Sequence, residues 1–600
     1  MKNIITLICI GLTLNTFSQE INFRFKNTEN PQISERDIEP GYTVYSFTFD
    51  VEKQEEEIQI RWDLPANDMQ YLWTPGHQHG IQPLWGNRDI TSYATMQAPV
   101  LSVFNNNNIN KMTFALSDAL NEVRMTCGVI EETAHMENWV IVHPSAFENL
   151  EQYKVELIID LRDVPYWNSL SDISDWWASI DDYKPMQVPD IAKMPMYSTW
   201  YSFHQQLDVA EVISECKLAK QIGCEAVIVD DGWQTLDNKR GYKYTGDWIP
   251  ERIPNMKAFV DSIHAIDMRF LLWYSVPFVG EASEASKQFK GKFLTKRGDA
   301  FVLDPRYPDV REYIVNTYLT ALKQWGLDGF KFDFVDNFKV YPNHKQYQPE
   351  NFEELSKQMD YQNVNVATDK LLTDITQTLT AEKSDILIEF RQRYIGPLMR
   401  KYGNMFRAGD CPYGLWENRL RTTNVKLIAG NTATHSDMIM WHSEESAEVA
   451  ALQLLNVMFS VPQISVKMHL YPQEHFTMLN FWVPFWTEHQ HVLLEGDFEA
   501  YYPNLNYPIL IGKNNDTIVV GIYSPSHLIP INSEHAPKEI NIMNASGQTK
   551  VVIDFIKDFG NYTYKVFDCF GNEQDNGIVK LDGVKLFKVP KAGLLRLSID

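Results

Sequence analysis

The chain of 600 residues holds only six cysteines, and one of them, Cys9, lies inside the apolar opening stretch. The other five, Cys127, Cys216, Cys224, Cys411 and Cys569, are odd in number and scattered. That spacing argues against a disulfide framework or a cysteine metal site and leaves mostly buried thiols. Runs of lysine and arginine are missing, and the formal charge is −24 with a pI near 5.1. Nucleic acid and anionic membrane surfaces are repelled by such a chain, so neither is expected as a partner. After the first eighteen residues no stretch is long and apolar enough to cross a bilayer. No glycine-rich phosphate loop follows a strand-like run, which takes support from a doubly wound nucleotide-binding sheet. A Ser-His-Asp set on a nucleophile elbow is also lacking. There is no internal repeat and no low-complexity tract.

What is present is apolar and aromatic: 44% hydrophobic residues, with 16 Trp and 28 Tyr. The length exceeds one ordinary domain, so two or three are expected. Residues 1–18 read as a signal peptide: Lys2 gives the positive start, the apolar run 4–14 follows, and Thr16-Phe17-Ser18 offers a cleavage site. An exported protein, periplasmic or secreted, is the expectation. Residues 19–190 carry short runs such as Tyr42-Thr43-Val44-Tyr45 and Ile58-Gln59-Ile60, which predict an N-terminal β-sandwich. It ends in a connector rich in Trp, Asp and Pro over 164–191. Trp167, Trp176 and Trp177 in it either pack the domains together or reach a ligand, with packing preferred.

From 191 to 497 strand-like and helix-like runs alternate. The strands are predicted at 196–201, 226–233, 270–276, 328–335, 386–391, 405–410, 437–441 and 463–468. Helical runs lie between them, among them 209–221, 256–266, 309–325, 369–379, 415–429 and 446–459. Eight such repeats predict a (β/α)8 TIM barrel between two β-rich domains, the last over 498–600. The fold class is therefore multidomain α/β plus β.

In a barrel the chemistry sits where strands end. The run 328–335 is central, because Lys331 and Asp333 are two apart and share the inward face. A lysine there keeps an aspartate ionised, as a nucleophile on a sugar requires; a structural ion pair is the plainer alternative. Trp200, Asp230, Asp231, Trp233, Trp273, Glu389, Arg391, Arg407, Asp410, His435 and Asp437 fall at or near the other predicted strand ends. Carboxylates that accept from hydroxyls, with Trp faces for pyranose C–H groups, make up a sugar site. Asp230 and Asp231 point opposite ways unless the strand breaks there, as Gly232 permits. Asp410 needs a raised pKa to act as an acid, and Arg407 would lower it if the two pair; a helix N-cap is its plainer role. His77-Gln78-His79 is the best metal candidate, but it has no third ligand and reads as a polar loop.

Five ordered motifs carry a resemblance. Val229-Asp230-Asp231-Gly232-Trp233, Gly246-Asp247-Trp248, Phe270-Leu271-Leu272-Trp273, Val302-Leu303-Asp304 with Pro308-x-Val310-Arg311, and Lys331-Phe332-Asp333 resemble those of glycoside hydrolase family 36. These are α-galactosidases of the melibiase type, in a clan shared with family 27. The resemblance covers roughly 194–441 and implies a retaining, cofactor-free mechanism on terminal α-galactosides of an oligosaccharide or polysaccharide. It implies Asp333 as nucleophile and Asp410 as acid/base. Asp230 and Asp231 would hold O4 and O6, Lys331 would contact the sugar, and Trp200 and Trp273 would be pocket aromatics. Arg407 and Arg391 stand as further ligand contacts. Three positions depart from the family: Phe332 replaces Trp, Val335 and Asp336 replace an Arg, and 389–393 replaces a Cys- and Gly-rich loop that helps read the C2 substituent. Another or modified glycone, such as a sulfated one, and a non-catalytic sugar-binding barrel therefore remain as rival readings. Transglycosylation and self-association stay open.

Overall fold

A computed structural model describes residues 21–76, 84–85, 88–339 and 349–599. The predicted signal peptide and the His77-Gln78-His79 stretch lie outside the described residues. The N-terminal region is two packed, mainly antiparallel sheets of five and six strands. In Tyr42–Asp50 and Ile58–Pro65 alternate side chains turn inward, so Phe47, Phe49, Trp62 and Leu64 meet Phe114 and Leu157 in one core.

The stretch read as a connector contains a helix, Tyr166–Ser179, that clamps the other parts. The Trp177 indole donates to the Leu116 carbonyl at 2.9 Å, and the Tyr166 hydroxyl to Ala500 O at 2.6 Å. Trp167 and Trp176 are also buried in the shared core, so these tryptophans pack domains together. Trp73 extends the clamp, donating to Asn424 of the barrel and to Tyr507 of the C-terminal region.

The central region is an eight-stranded parallel sheet. Its strands are β1 (Met196–Ser198), β2 (Ala226–Val229), β3 (Arg269–Ser275), β4 (Gly329–Asp333), β5 (Leu387–Arg391), β6 (Met405–Arg407), β7 (Ala433–His435) and β8 (Gln463–Ile464). Neighbours pair in sequence order, and β8 pairs with β1. Bridges from His435 to Val461 and from Ile439 to Ile464 bring the two ends together. Period-two alternation sorts the interior into layers. Met196, Ala226, Ile228, Leu271, Leu387, Met405 and Ala433 fill the floor. One step along the same faces come Lys331, Glu389 and Arg407, then Asp333 and Arg391. The barrel is therefore apolar where strands enter and charged where they leave.

The strands are mostly shorter than expected, the second, sixth and eighth ending at Val229, Arg407 and Ile464, and two others differ in ways that matter. The first stops at Ser198, and Trp200 lies on a short helix, Trp200–Phe203. The seventh is Ala433–His435, not 437–441. Met438, Ile439 and Trp441 are buried, so an apolar run mimics a strand while the true strand is a short Ala-Thr-His. Between β3 and the helix Pro308–Trp325 the chain inserts a small sheet of Phe278–Gly280, Phe293–Arg297 and Ala300–Leu303.

A final seven-stranded sheet and a three-stranded one enclose Ile509, Val520, Ile542, Ile553 and Leu595. The five later cysteines are buried free thiols. Among the described residues no helix is long and apolar enough to cross a membrane.

Candidate active site

The charged layer converges on Asp333, the last residue of β4. Trp273 Nε1 donates to its Oδ2 at 3.1 Å, while Arg391 Nε, at 2.9 Å, and the Tyr394 hydroxyl reach Oδ1. The backbone N–H of Phe334 donates to Oδ1 at 2.8 Å, with Phe334 held at φ +64°. A non-glycine residue in the left-handed region is strained by about 1–3 kcal/mol, and here the strain turns the chain immediately after the carboxylate. Burial pushes the Asp333 carboxyl up, but Arg391, Lys331 and the Tyr394 hydrogen bond outweigh it and hold it below its ordinary value. It is ionised and largely shielded from water.

The expected Lys331–Asp333 ion pair is corrected by this geometry. Lys331 pairs instead with Asp230, both side chains buried, and Asp333 pairs with Arg391. Asp333 meets Arg391 across the neighbouring strand β5, about 4.8 Å away, while the long Lys331 side chain reaches past β3 to Asp230. Lys331 still acts on Asp333 through its charge.

Beyond β2 the chain breaks as Gly232 allows. Gly232 has φ +114°, and a Cβ there would fall 2.5 Å from Gln205 Cα. The break turns Asp231 toward Gln205 Nε2 at 2.8 Å and Gln234 Nε2 at 2.7 Å, while Asp230 faces Lys331. Burial pushes Asp231 up to about 6, partly offset by those two amides. Gly232→Ala is expected to cost about 1–3 kcal/mol through strain and overlap, read as a lower Tm. An unchanged Tm would show that the backbone there relaxes freely.

Arg407 ends β6 and is fully buried. It pairs with Asp437, with Asp410 at 2.9 Å, and more loosely with Glu389 at 3.6 Å. Asp437 also accepts from the Tyr201 hydroxyl and the Cys411 N–H. The Asp410 side chain is 49% exposed, facing the open mouth. Burial of its other half pushes its carboxyl up, yet Arg407, Arg391 and Lys331 together hold it well below the usual range. The anticipated Arg407–Asp410 contact therefore exists, and unliganded Asp410 is a carboxylate. Removing Arg407 strands Asp437 and Glu389 as buried charges. Arg407→Met should lose about 3–5 kcal/mol of stability at neutral pH, seen in thermal unfolding. A loss near zero would mean those carboxylates are already neutral.

The other sequence candidates divide. Trp273 is 2% exposed and serves as a donor to Asp333. Trp200 is half-buried beside His204, with the Arg240 guanidinium 5.4 Å from its ring. His435 is buried against Ala192 O, and burial lowers it to about 4. It ends β7, where the sequence reading placed it ahead of the strand. Sequence reasoning missed Tyr394, Tyr201, Gln205 and Gln234; uncharged and scattered, they stand out only once the strands are assembled. Among the described residues no three His, Cys, Asp or Glu side chains gather as a metal site.

A model of the glycosyl hydrolases family 31 TIM-barrel domain matches residues 186–431. The α-galactosidase AgaA of Geobacillus stearothermophilus is 25% identical over 148 residues, 23% of this chain and 19% of that protein. The A type blood α-D-galactosamine galactosaminidase of Flavonifractor plautii is 26% identical over 191 residues, 28% of this chain and 17% of that protein. The matched stretch thus spans under a fifth of either curated relative's length. Over 93% of this chain and 79% of the other, the crystal structure of family 36 AgaA superimposes with a TM-score of 0.63 at 14% identity. The Lactobacillus brevis α-galactosidase gives 0.59 at 12% identity over 96% and 85% of the two chains. Variants of AgaA have been crystallised with raffinose and with stachyose. The barrel region is thus similar to glycosyl hydrolase TIM barrels, and the fold to that of solved α-galactosidases. In fold the chain shares the β, barrel, β build of these family 36 structures.

Proposed function

We propose that this chain is an exported enzyme that hydrolyses terminal α-D-galactosyl residues from oligosaccharides with retention of configuration. The observation that carries the reading is the pair of unlike carboxylates at the barrel mouth. Asp333 is buried, donor-saturated and ionised, whereas Asp410 is half-exposed three residues past β6. Asp333 Oδ forms a bond to the anomeric carbon as the glycosidic C–O bond breaks, and Asp410 gives its proton to the departing oxygen. Water then attacks the glycosyl-enzyme, Asp410 takes a proton from it, and Asp333 leaves as a carboxylate.

Asp410 must gain a proton first. A sugar that covers its exposed half strengthens the upward push of burial against Arg407. Asp230, Asp231 and Lys331 would grip the hydroxyls of the terminal sugar. The relatives that name galactose or galactosamine support the glycone. The test is a panel of aryl α- and β-glycosides: turnover is expected on the α-D-galactoside above the α-glucoside and β-galactoside. Absence of α-galactoside turnover by folded protein would sink this glycone.

A further inference from the structure

A cavity of about 350 Å³ opens beside Asp410, lined among the described residues by Gly76, Arg297, Asp336, Arg391, Gln392, Arg393, Gly409, Asp410 and Arg421. Four guanidiniums against two carboxylates give this wall a positive balance, in a chain whose net charge is −24. They come from separate elements: the inserted strand Phe293–Arg297, β5 and the loop after it, and the helix Leu415–Ala429.

Two of the four are already engaged. Arg391 holds Asp333, and Arg421 donates to the Gly409 carbonyl at 3.1 Å. Arg297 and Arg393 form no ion pair within 4 Å with another described residue; Arg297 donates to the Asn337 amide oxygen, lies near the Phe278 ring and acts on Asp336 through its charge at longer range. The loop under Arg393 is propped from the N-terminal sandwich. Gln97 N–H donates to Arg393 O at 2.9 Å, and the Tyr93 hydroxyl donates to Asp336 O at 2.9 Å. Guanidiniums without carboxylate partners, set on braced backbone around one void, fit an oxyanion.

We propose that this cavity is an anion subsite that takes a sulfate ester or a carboxylate carried by the substrate next to the scissile bond. This deepens the hydrolase reading and rests on it. Asp230, Asp231 and Lys331 are not in the cavity wall, so the anion sits on the Asp410 side of the attacked sugar. An anion there would also offset guanidinium charge that now keeps Asp410 ionised.

The test compares a neutral α-galacto-oligosaccharide, its sulfated counterpart, and one whose neighbouring residue is a uronic acid. Binding is measured by calorimetry and hydrolysis by product release, for wild type, Arg297→Ala and Arg393→Ala. At least one anionic probe should bind about tenfold tighter than the neutral one, and each variant should remove most of that gain. Turnover of the neutral substrate should stay unchanged in the variants. Whichever anionic probe gains identifies the group. Arg-dependent binding without cleavage would uphold the subsite and overturn the hydrolase reading. Cleavage of neutral α-galactosides with no Arg-dependent gain would overturn the subsite and leave the hydrolase standing. Absence of Arg-dependent binding by either anionic probe overturns the subsite whatever hydrolysis shows.

Discussion

Asp333→Ala should abolish turnover of an aryl α-D-galactoside, with kcat falling by about four orders of magnitude or more, roughly 5–6 kcal/mol of barrier. The size follows from the role: without the carboxylate no covalent intermediate forms, and a water-sized gap takes the nucleophile's place. Arg391 also loses its partner, so folding needs a control. Asp333→Asn keeps the side-chain volume and should unfold near the wild-type temperature while remaining inactive. Azide added to Asp333→Ala should restore some turnover by attacking the anomeric carbon directly, giving the β-galactosyl azide. Activity within tenfold of wild type in both variants would remove Asp333 from the nucleophile role.

Asp410→Ala should behave differently. A general acid/base is worth about 10²–10⁴ in rate, and its loss weighs most on poor leaving groups. Hydrolysis of an oligosaccharide should fall by about a thousandfold, while the first turnover of an activated aryl galactoside should survive. The glycosyl-enzyme should then accumulate, because no base activates water. Azide needs no base and should speed its release as the α-galactosyl azide. Stability should hardly change, since Asp410 is half-exposed and Arg407 keeps Asp437. Equal losses on good and poor leaving groups, with no azide effect, would assign Asp410 a structural role.

Much of this arrangement was readable before the fold was known. The run ending in Asp333 is apolar on one face, with Lys331 and Asp333 on the other, and it forms the strand expected of it. The helices Val209–Gln221 and Leu415–Ala429 fall where their apolar periodicity places them. Short, half-polar strands were the weak point. Ala433–His435 has little strand character, and pairing across the barrel makes it a strand.

Partnerships were less legible than positions. Sequence spacing shows which residues share a face, but only the closed barrel brings Lys331 to Asp230 across its interior and Arg391 to Asp333 across neighbouring strands. Val335 and Asp336 stand where the resembling family carries an arginine, and here the guanidinium beside Asp333 arrives from β5. The cavity's arginines come from positions 297 to 421, so no local motif announces it. Arg391 and Arg393 were visible as candidates near an altered loop; Arg297 joins them only because the inserted sheet folds over the mouth.

The stereochemistry of the first-formed product tests the central claim most directly. Proton NMR during hydrolysis of an aryl α-D-galactoside by wild type should show α-galactose first, with the β-anomer appearing only as mutarotation proceeds. β-Galactose appearing first would mean a single displacement by water, and the double displacement through Asp333 would be wrong.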